Sequence, residues 1–247
     1  MNIFESSLLK VKTIFALNTV LSFSYIALYG LSLSETAIVI CIFFLMHCLG
    51  MTVTYHRYYA HGSFKFKHKV LEYICATLGM ISCSGSILSW AGIHRNHHKH
   101  SDTDKDPHQA DRGLLAMISI DYHYKPAPRI ILDLLKNKFI VLAHKYFFVP
   151  IFFYCFVLSL TFGFNGLMLG FSIPAFLTMS AQVLTNYVNH RNKNKNQPQN
   201  VWWMNFLNFG DGWHKNHHDN PRSFTSSTKW YEIDASGIMI KHVVGKV

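Results

Sequence analysis

Five histidines are crowded into the stretch GIHRNHHKHSDTDKDPH at 92–108. Three of them, His94, His97 and His98, have the spacing H-x-x-H-H. On a helix, positions i, i+3 and i+4 lie on one face, so three imidazoles can point into one cavity. Neutral imidazole is a ligand for iron, zinc, copper and nickel. The stretch therefore predicts a metal site rather than a set of unrelated polar residues.

The other histidine groups are spread along the chain. The same spacing returns in GWHKNHH, and YHRYYAH holds two histidines five residues apart, which an ideal helix does not align. TNYVNHRN places Asn186 and His190 on one helical face. Two H-x-x-H-H triplets can build a two-metal centre, whereas His47, deep in an apolar run, is expected to be hydrogen-bonded locally. The nine predicted metal ligands are His56, His61, His94, His97, His98, His190, His214, His217 and His218.

The elements that must position these histidines are apolar helices. Four runs approach the roughly 20 residues that a bilayer-spanning helix needs. They are about 13–30, 36–54, 139–162 and 166–187. Short turns, LSLSE and TFGFNG, predict two hairpins, and Pro174 predicts a kink in the fourth run. We predict an all-α integral membrane protein, a single domain over 1–247, with four transmembrane helices and a helical cap formed by 55–138 and 188–247.

A fifth apolar run, 71–89, is assigned to an interfacial or re-entrant helix. One histidine group precedes it and another follows it, so a crossing would separate His56 from His94 and prevent a shared site. Glu72 and the small residues at 82–86 also reduce its span character.

Loop charge orients the chain. The two short turns contain no Lys or Arg, whereas 55–138 and 188–247 are rich in both. The positive-inside rule places both long segments and both termini in the cytoplasm. Every histidine group then lies on the same side of the membrane.

Composition excludes several other classes of protein. Only 15% of the residues are charged, against about 25% in soluble domains. The net charge is +10, but Lys and Arg lie between apolar runs, which favours an anionic membrane surface over nucleic acid. The five cysteines lie in apolar stretches without C-x-x-C spacing, so neither disulfides nor a thiolate zinc site is expected. The start, MNIFESSLLKVK, is not typical of a cleavable signal peptide.

The motifs HRYYAH, HRNHH and HKNHH resemble the three histidine boxes of the membrane fatty acyl desaturases. SDTDKDPH after the second motif, and NVWW and FGDGWHKNHH around the third, resemble the delta-9 branch in particular. The resemblance runs from about residue 50 to 234. It implies a di-iron centre that uses dioxygen and two electrons to remove two hydrogens from an acyl chain, leaving a cis double bond. It also implies that His190 binds metal and that Asn186 reaches a metal through water.

The resemblance also bears on the metal and on the electron donor. Zinc has no redox chemistry, so the same histidines with zinc could not break an unactivated C–H bond, and two iron ions are expected. No fused haem-binding or ferredoxin-like segment is visible, so a separate ferredoxin or cytochrome b5-like protein is implied as donor. A basic cytoplasmic surface would suit an acidic donor.

The chain departs from the family pattern at two places. Asp211 stands where the family commonly has Glu, which still leaves a carboxylate beside the third motif. Gly92 and Ile93 stand where animal acyl-CoA desaturases have Arg-Asp, a difference that resembles bacterial acyl-lipid enzymes and implies the bacterial inner membrane. Linkage of the acyl chain to lipid, CoA or a carrier protein stays open. Candidates to bind a carrier phosphate are Arg95, Lys99 and Arg112.

The acidic residues near the histidines have two interpretations, and the nearby tryptophans are assigned to two different roles. Three acids after the second motif either orient ligand histidines or form a solvated turn. They are Asp102, Asp104 and Asp106. Trp90 and Trp213 are predicted to line a narrow acyl tunnel that contacts the substrate. Trp202 and Trp203 are predicted to anchor the chain at the membrane interface.

Two alternatives share some of these features. A related di-iron enzyme would hydroxylate its acyl or lipid substrate, and product analysis separates it from a desaturase. A histidine-rich metal transporter would carry ionisable residues through several spans, whereas these histidines gather at one edge. We therefore predict an oxidoreductase, a fatty acyl desaturase acting with dioxygen, with delta-9 as the favoured position.

Overall fold

The computed structural model describes residues 3–108, 127–191 and 197–247, with side chains from residue 13 onward. In chain order its helices and strands are α1 (Ile3–Tyr29), α2 (Leu33–Phe43), a first π-helix (Phe44–Ala60), β1 (Lys65–Phe66), α3 (Lys69–Ile81), α4 (Ile87–His100), a 3-10 helix (Pro128–Ile130), α5 (Leu132–Leu135), α6 (Lys138–Lys145), α7 (Phe148–Leu167), a second π-helix (Met168–Ser172), α8 (Ile173–His190), a 3-10 helix (Trp202–Met204), α9 (Asn205–Asn208), α10 (His214–Asp219), α11 (Ala235–Met239), a third π-helix (Ile240–Val244) and β2 (Gly245–Lys246). The strands pair antiparallel, with Lys65 opposite Lys246. The described part is therefore mainly helical, and its one two-residue ladder joins β2 to the segment after the first π-helix.

Within the described residues, two helical stretches are long and apolar enough to cross a membrane, Leu33–Ala60 and Phe148–His190. The predicted span 36–54 lies within the first of them, and the last two predicted spans both overlap the second. A shorter apolar helix, Thr13–Tyr29, coincides with the first predicted span. The prediction of a helical membrane protein agrees with this pattern.

The stretch that begins at Phe148 is folded back on itself. Gly163 has φ 61° and ψ −151°, a conformation that glycine adopts readily because it lacks a Cβ atom. Beyond the turn, the Tyr154 hydroxyl donates to the Gly170 carbonyl at 2.9 Å, a contact that 16 residues of continuous helix would prevent. The predicted TFGFNG turn is therefore present. Pro174 stands in the first turn of α8, directly after the second π-helix, rather than inside a continuous α-helix.

The first hairpin joins α1 to α2. Gly30 has φ +67° at the end of α1, and Ser32 caps α2. The Ser32 hydroxyl accepts the backbone N–H of Glu35, and the Glu35 carboxylate accepts the backbone N–H of Ser32 at 2.8 Å. This reciprocal capping box satisfies two N–H groups that a helix start otherwise leaves unpaired.

The run 71–89 is divided between α3 and α4, so the prediction of an interfacial or re-entrant helix was wrong in expecting one continuous helix. A turn through Cys83 (φ 62°) and Gly85 (φ 98°) separates α3 from α4. α3 packs closely on the first π-helix, since a Cβ atom on Gly50 would lie 2.5 Å from the Gly79 nitrogen. The turn brings α4 back beside the end of the first π-helix. The histidines before and after the run consequently lie together, as the prediction required.

Candidate metal centre

Nine histidines within the described ranges form two groups that could each hold a metal ion, and they are the nine predicted from sequence. Within a group, the candidate ligand atoms lie within 4.8 Å of one another. The first group consists of His56, His61, His94, His98 and His217. The second group consists of His97, His190, His214 and His218.

The first π-helix explains the spacing of His56 and His61. In a π-helix each N–H donates to the carbonyl five residues earlier, and here the His61 N–H donates to the His56 carbonyl at 3.2 Å. The wider turn brings residues i and i+5 close together, so both imidazoles reach the first group. The local distortion expected from the sequence is this π-helix.

Each H-x-x-H-H triplet is divided between the two groups. From α4, the i and i+4 members join the first group, whereas the i+3 member, His97, joins the second. In α10 the assignment is reversed, and the i+3 member, His217, joins the first group. The rings of His98 and His218 stack with centroids 4.2 Å apart where the groups meet. Each triplet thus contributes histidines to both groups, rather than to one metal alone.

The Nε2 atoms of the histidines face one another. The distance between Nε2 atoms is 2.9 Å for His56 and His217, and also 2.9 Å for His61 and His94. His97 Nε2 is buried, with no hydrogen-bond partner among the described residues. Buried polar atoms are normally satisfied, and a bound cation would satisfy these nitrogens. The donor set therefore fits a metal centre.

The opposite ring nitrogens face carboxylates. His97 Nδ1 lies 2.8 Å from Asp106, and His190 Nδ1 lies 3.1 Å from Asp102. A carboxylate that accepts the Nδ1–H fixes the ring and leaves the Nε2 lone pair free for a metal. Of the acids after the second motif, Asp102 and Asp106 thus contact histidines, whereas Asp104 is exposed.

Asp211 serves the first group in the same way. One of its oxygens accepts from His56 Nδ1 at 3.0 Å and the other accepts from Arg57 Nη2 at 3.0 Å. Burial would raise the pKa of the Asp211 carboxyl, but His56 and Arg57 favour the charged form and hold that pKa below its ordinary value. Arg57, only 1% exposed, also donates to Asp234 at 2.8 Å. Sequence reasoning missed Arg57 and Asp234, which are 177 residues apart along the chain.

The imidazoles lie in surroundings that keep them neutral. Burial, reinforced by neighbouring imidazoles, holds the pKa of His94, His97, His214 and His217 well below the ordinary histidine value. Neutral imidazole is the form that binds metal ions. These four imidazoles are therefore in the form that accepts a metal ion.

A cavity of about 60 Å³ lies beside both groups. Its lining includes His56, His94, His214, Met51, Trp90 and Asn186. The Trp90 ring stacks on His94 with centroids 4.9 Å apart, and its N–H donates to the Gln182 side-chain oxygen at 2.8 Å. Trp90 and Asn186, both predicted from sequence, therefore border one space next to the histidines.

Arg95 has a different environment from the one predicted. Its five N–H donors are all engaged, two of them with the Asp133 carboxylate at 2.6 and 2.8 Å. The other three donate to the backbone carbonyls of Tyr59, Ala60 and Ile130. Arg95 thus ties α4 to its neighbours, and the predicted contact with substrate stays a prediction. Lys99 is exposed, and Arg112 lies outside the described residues.

The remaining predicted residues lie around the site. The Trp213 indole donates to the Ile233 carbonyl at 2.9 Å. Trp202 and Trp203 are exposed, as expected for anchors at a membrane interface. His47 is outside both groups, and its Nε2 lies 3.2 Å from the side-chain oxygen of Asn208, which is 161 residues away along the chain rather than a local partner.

Comparisons with known proteins agree with this geometry. A model of the fatty acid desaturase family matches residues 35–237. The sn-1 stearoyl-lipid 9-desaturase of Anabaena variabilis is 29% identical over 221 residues, covering 85% of this chain and 80% of that protein. Delta-9 acyl-lipid desaturase 1 of Arabidopsis thaliana is 31% identical, and the match covers 78% of this chain and 67% of that protein. The acyl-CoA C20 Delta5-desaturase of Anemone leveillei is 30% identical, and the match covers 78% of this chain and 65% of that protein. The protein is accordingly an acyl desaturase, an oxidoreductase, and the chain belongs to the fatty acid desaturase family.

Proposed function

We propose that this desaturase introduces a cis double bond at the delta-9 position of a saturated, lipid-linked acyl chain, at a centre of two iron ions. The observation that carries the proposal is the pair of histidine groups, whose ligand atoms converge beside a cavity lined by members of both. The reaction would consume one dioxygen, two electrons and two protons, remove two hydrogen atoms from the chain, and release two waters.

The nine histidines would hold the ions, five at the first and four at the second. Iron with dioxygen supplies an oxidant strong enough for an unactivated C–H bond, which zinc cannot supply because it has no redox chemistry. Imidazole suits iron as a ligand. Asp106, Asp102 and Asp211 would each hold one imidazole so that its Nε2 faces the metal.

The membrane arrangement that we propose has four spans, at about 13–30, 36–54, 139–162 and 166–187. Hairpin turns at Gly30 and Gly163 support it, as does the absence of Lys and Arg from both turns in the sequence. By the positive-inside rule, the histidine-bearing segments and both termini would face the cytoplasm of a bacterial inner membrane. The histidines would then lie at the inner rim of the bilayer.

The reacting part of the acyl chain would enter the cavity beside the histidines. At about 60 Å³ the cavity has room for a short segment only, since pockets that enclose drug-sized ligands measure about 300–1,000 Å³. Trp90, held between His94 and Gln182, would form one wall. Asn186 stands one turn before His190 on the same face and would reach a metal through a water. Trp213 would stand farther along the acyl path.

The carrier and the position of the double bond are supported by two relatives, which are named for delta-9 desaturation of lipid-linked chains. Gly92 and Ile93 also resemble the acyl-lipid type. The Anemone leveillei relative is named for acyl-CoA and the Delta5 position, so the test must determine both properties.

The test is expression in a host that lacks desaturase activity, followed by mass spectrometry of the fatty acids in each lipid class. We expect cis-delta-9 monoenes that appear first in membrane lipids. Double bonds elsewhere in the chain, or monoenes that appear first as acyl-CoA, would contradict the proposal. Hydroxylated chains would indicate the related hydroxylase. No observation favours that enzyme or the metal transporter.

Electrons would come from a separate ferredoxin or cytochrome b5-like protein. The net charge of +10 supports an acidic donor, because complementary charge speeds the encounter of two proteins. Reconstitution with acidic donors should give activity that falls as salt rises. Activity that is insensitive to salt would contradict this choice of donor.

A further inference from the structure

We infer that Arg57 and Asp234 are positioning residues for the first metal: with Asp211 they form a buried ion-pair network, the Arg57 network, that couples the C-terminal segment 222–247 to the first histidine group. The inference rests on the proposed metal centre. It assigns a role to residues that bind neither metal nor substrate.

The geometry of the Arg57 network leads from the C-terminal segment to a histidine. Asp234 accepts from Arg57 Nη1 at 2.8 Å, Arg57 Nη2 donates to Asp211 at 3.0 Å, and Asp211 accepts from His56 Nδ1 at 3.0 Å. Arg57 also donates to the Phe224 carbonyl at 2.9 Å. Arg57 and Asp234 are 1% and 3% exposed, so solvent screens these contacts little.

The backbone next to the network has no space for a side chain at position 210. Gly210 has φ +124°, and a Cβ atom built there would collide with the Asp234 carboxylate and lie 3.1 Å from Arg57 Nη2. The FGDGWH stretch therefore carries a glycine because the ion pair passes directly against its backbone. The same stretch supplies Asp211 and then His214, but the side-chain contacts of the network reach the first group alone, through His56.

The charges of the network favour a cation at the first group. One guanidinium is shared by two carboxylates, so Asp211 is only partly neutralised and its negative charge remains behind His56. A carboxylate behind a ligand imidazole raises the basicity of the nitrogen that faces the metal. Removing the charge of Asp234 leaves Arg57 to Asp211 alone, which weakens the effect of Asp211 on His56.

The effect should be confined to one of the two metals. His97 and His190 of the second group have their own carboxylates, Asp106 and Asp102, on the turn after α4. The two groups are thus supported from different parts of the chain. Loosening the Arg57 network should weaken the first metal and leave the second unchanged.

Asp234→Asn is the sharpest variant. Asp234 also caps α11 by accepting the Gly237 N–H at 2.9 Å, and Asn caps helices as well as Asp does. The substitution therefore removes the charge and keeps the cap when its oxygen stays on the Gly237 N–H, but its NH2 group then faces the backbone N–H of Ser226, which the other Asp234 oxygen accepts at 2.7 Å. Thermal unfolding of the variant is therefore measured beside metal binding. Arg57→Lys is the second variant, because a lysine cannot pair with two carboxylates as a guanidinium fork does. Asp133→Asn is the matched control, since it removes a carboxylate from the Arg95 pair.

The experiment measures cobalt(II) binding to metal-free full-length protein in detergent, against a competing chelator, in two single-site backgrounds. His218→Ala disables the second group and reports on the first, whereas His61→Ala does the reverse. Asp234→Asn should raise the Kd for cobalt by up to about 10-fold in the His218→Ala background, the lower end of the range for residues that contact a ligand histidine directly, because Asp234 acts through Arg57 and Asp211. It should leave the Kd unchanged in the His61→Ala background, and the visible spectrum of cobalt should change only in the former.

The possible outcomes separate the inference from the proposed function. Equal weakening in both backgrounds, or no weakening in either, would overturn the role of the Arg57 network while the metal centre stands. Selective weakening by the Asp133→Asn control would overturn it as well. Failure of the protein without any substitution to bind two cobalt ions would instead contradict the metal centre itself.

Discussion

Asp106→Asn should remove the support of the second histidine group. Asp106 is buried, and its two oxygens lie 2.8 and 3.0 Å from His97 Nδ1. One oxygen also accepts the backbone N–H of His108 and the other that of Asp102, each at 2.8 Å. An asparagine has only one oxygen, so its NH2 group must take the place of one of these acceptors. That NH2 group would face a backbone N–H, and two donors cannot form a hydrogen bond.

The magnitude follows from these contacts. A buried N–H left without its acceptor costs about 1–3 kcal/mol of folding free energy. Loss of the carboxylate behind His97 should weaken metal binding about 10- to 100-fold, or about 1.4–2.8 kcal/mol at 1.4 kcal/mol per factor of ten. Desaturase activity should therefore fall further than the amount of folded protein.

The assay for Asp106→Asn combines iron content at fixed free iron, thermal unfolding in detergent and the yield of unsaturated lipid. Asp104→Asn is the matched control, because Asp104 lies on the same turn and is exposed. Asp106→Asn protein that holds iron with unchanged affinity would refute the reasoning. An equal effect of Asp104→Asn would refute it too, since the contact with His97 would then not be the cause.

Further substitutions test other parts of the account. His97→Ala and His217→Ala each remove one ligand, so lipid profiling should detect no product while membrane fractionation finds normal insertion; wild-type activity in either would exclude the shared site. Asn186→Ala should reduce product less, because its contact is indirect, and complete loss would contradict that. Gly50→Ala should lower the Tm more than Gly163→Ala. The first places a Cβ atom 2.5 Å from a facing backbone nitrogen, whereas the second meets open space and costs about 1–3 kcal/mol for a φ and ψ that are essentially restricted to glycine. The reverse order of Tm values would show that the contact between α3 and the first π-helix matters less than the turn.

The two H-x-x-H-H triplets could be predicted to share a site because spacing on a helix is a local property, whereas the π-helix that brings His56 and His61 together could not. The division of the triplets between two groups could not be predicted either. His97 and His217 join the opposite group from their motif partners because α4 and α10 approach from different sides. That approach depends on how the helices pack over long distances along the chain.

Local signals also predicted both hairpins, from the short polar turn LSLSE and from TFGFNG, which contains Gly163. The buried ion pairs could not be predicted from the sequence, for a different reason. Arg57 and Arg95 follow or lie within histidine motifs, but nothing in their neighbourhood indicates Asp234 or Asp133 as partners. In the sequence Arg95 is a candidate to bind a phosphate, but in the structure its five N–H donors are engaged within the protein.

The ratio of iron to protein in purified, active enzyme tests the central claim most directly. Two histidine groups predict two irons per chain, falling towards one when His61 or His218 is replaced by alanine. Active enzyme that contains no iron, or variants that keep the full ratio, would contradict the claim that these histidines hold the metals.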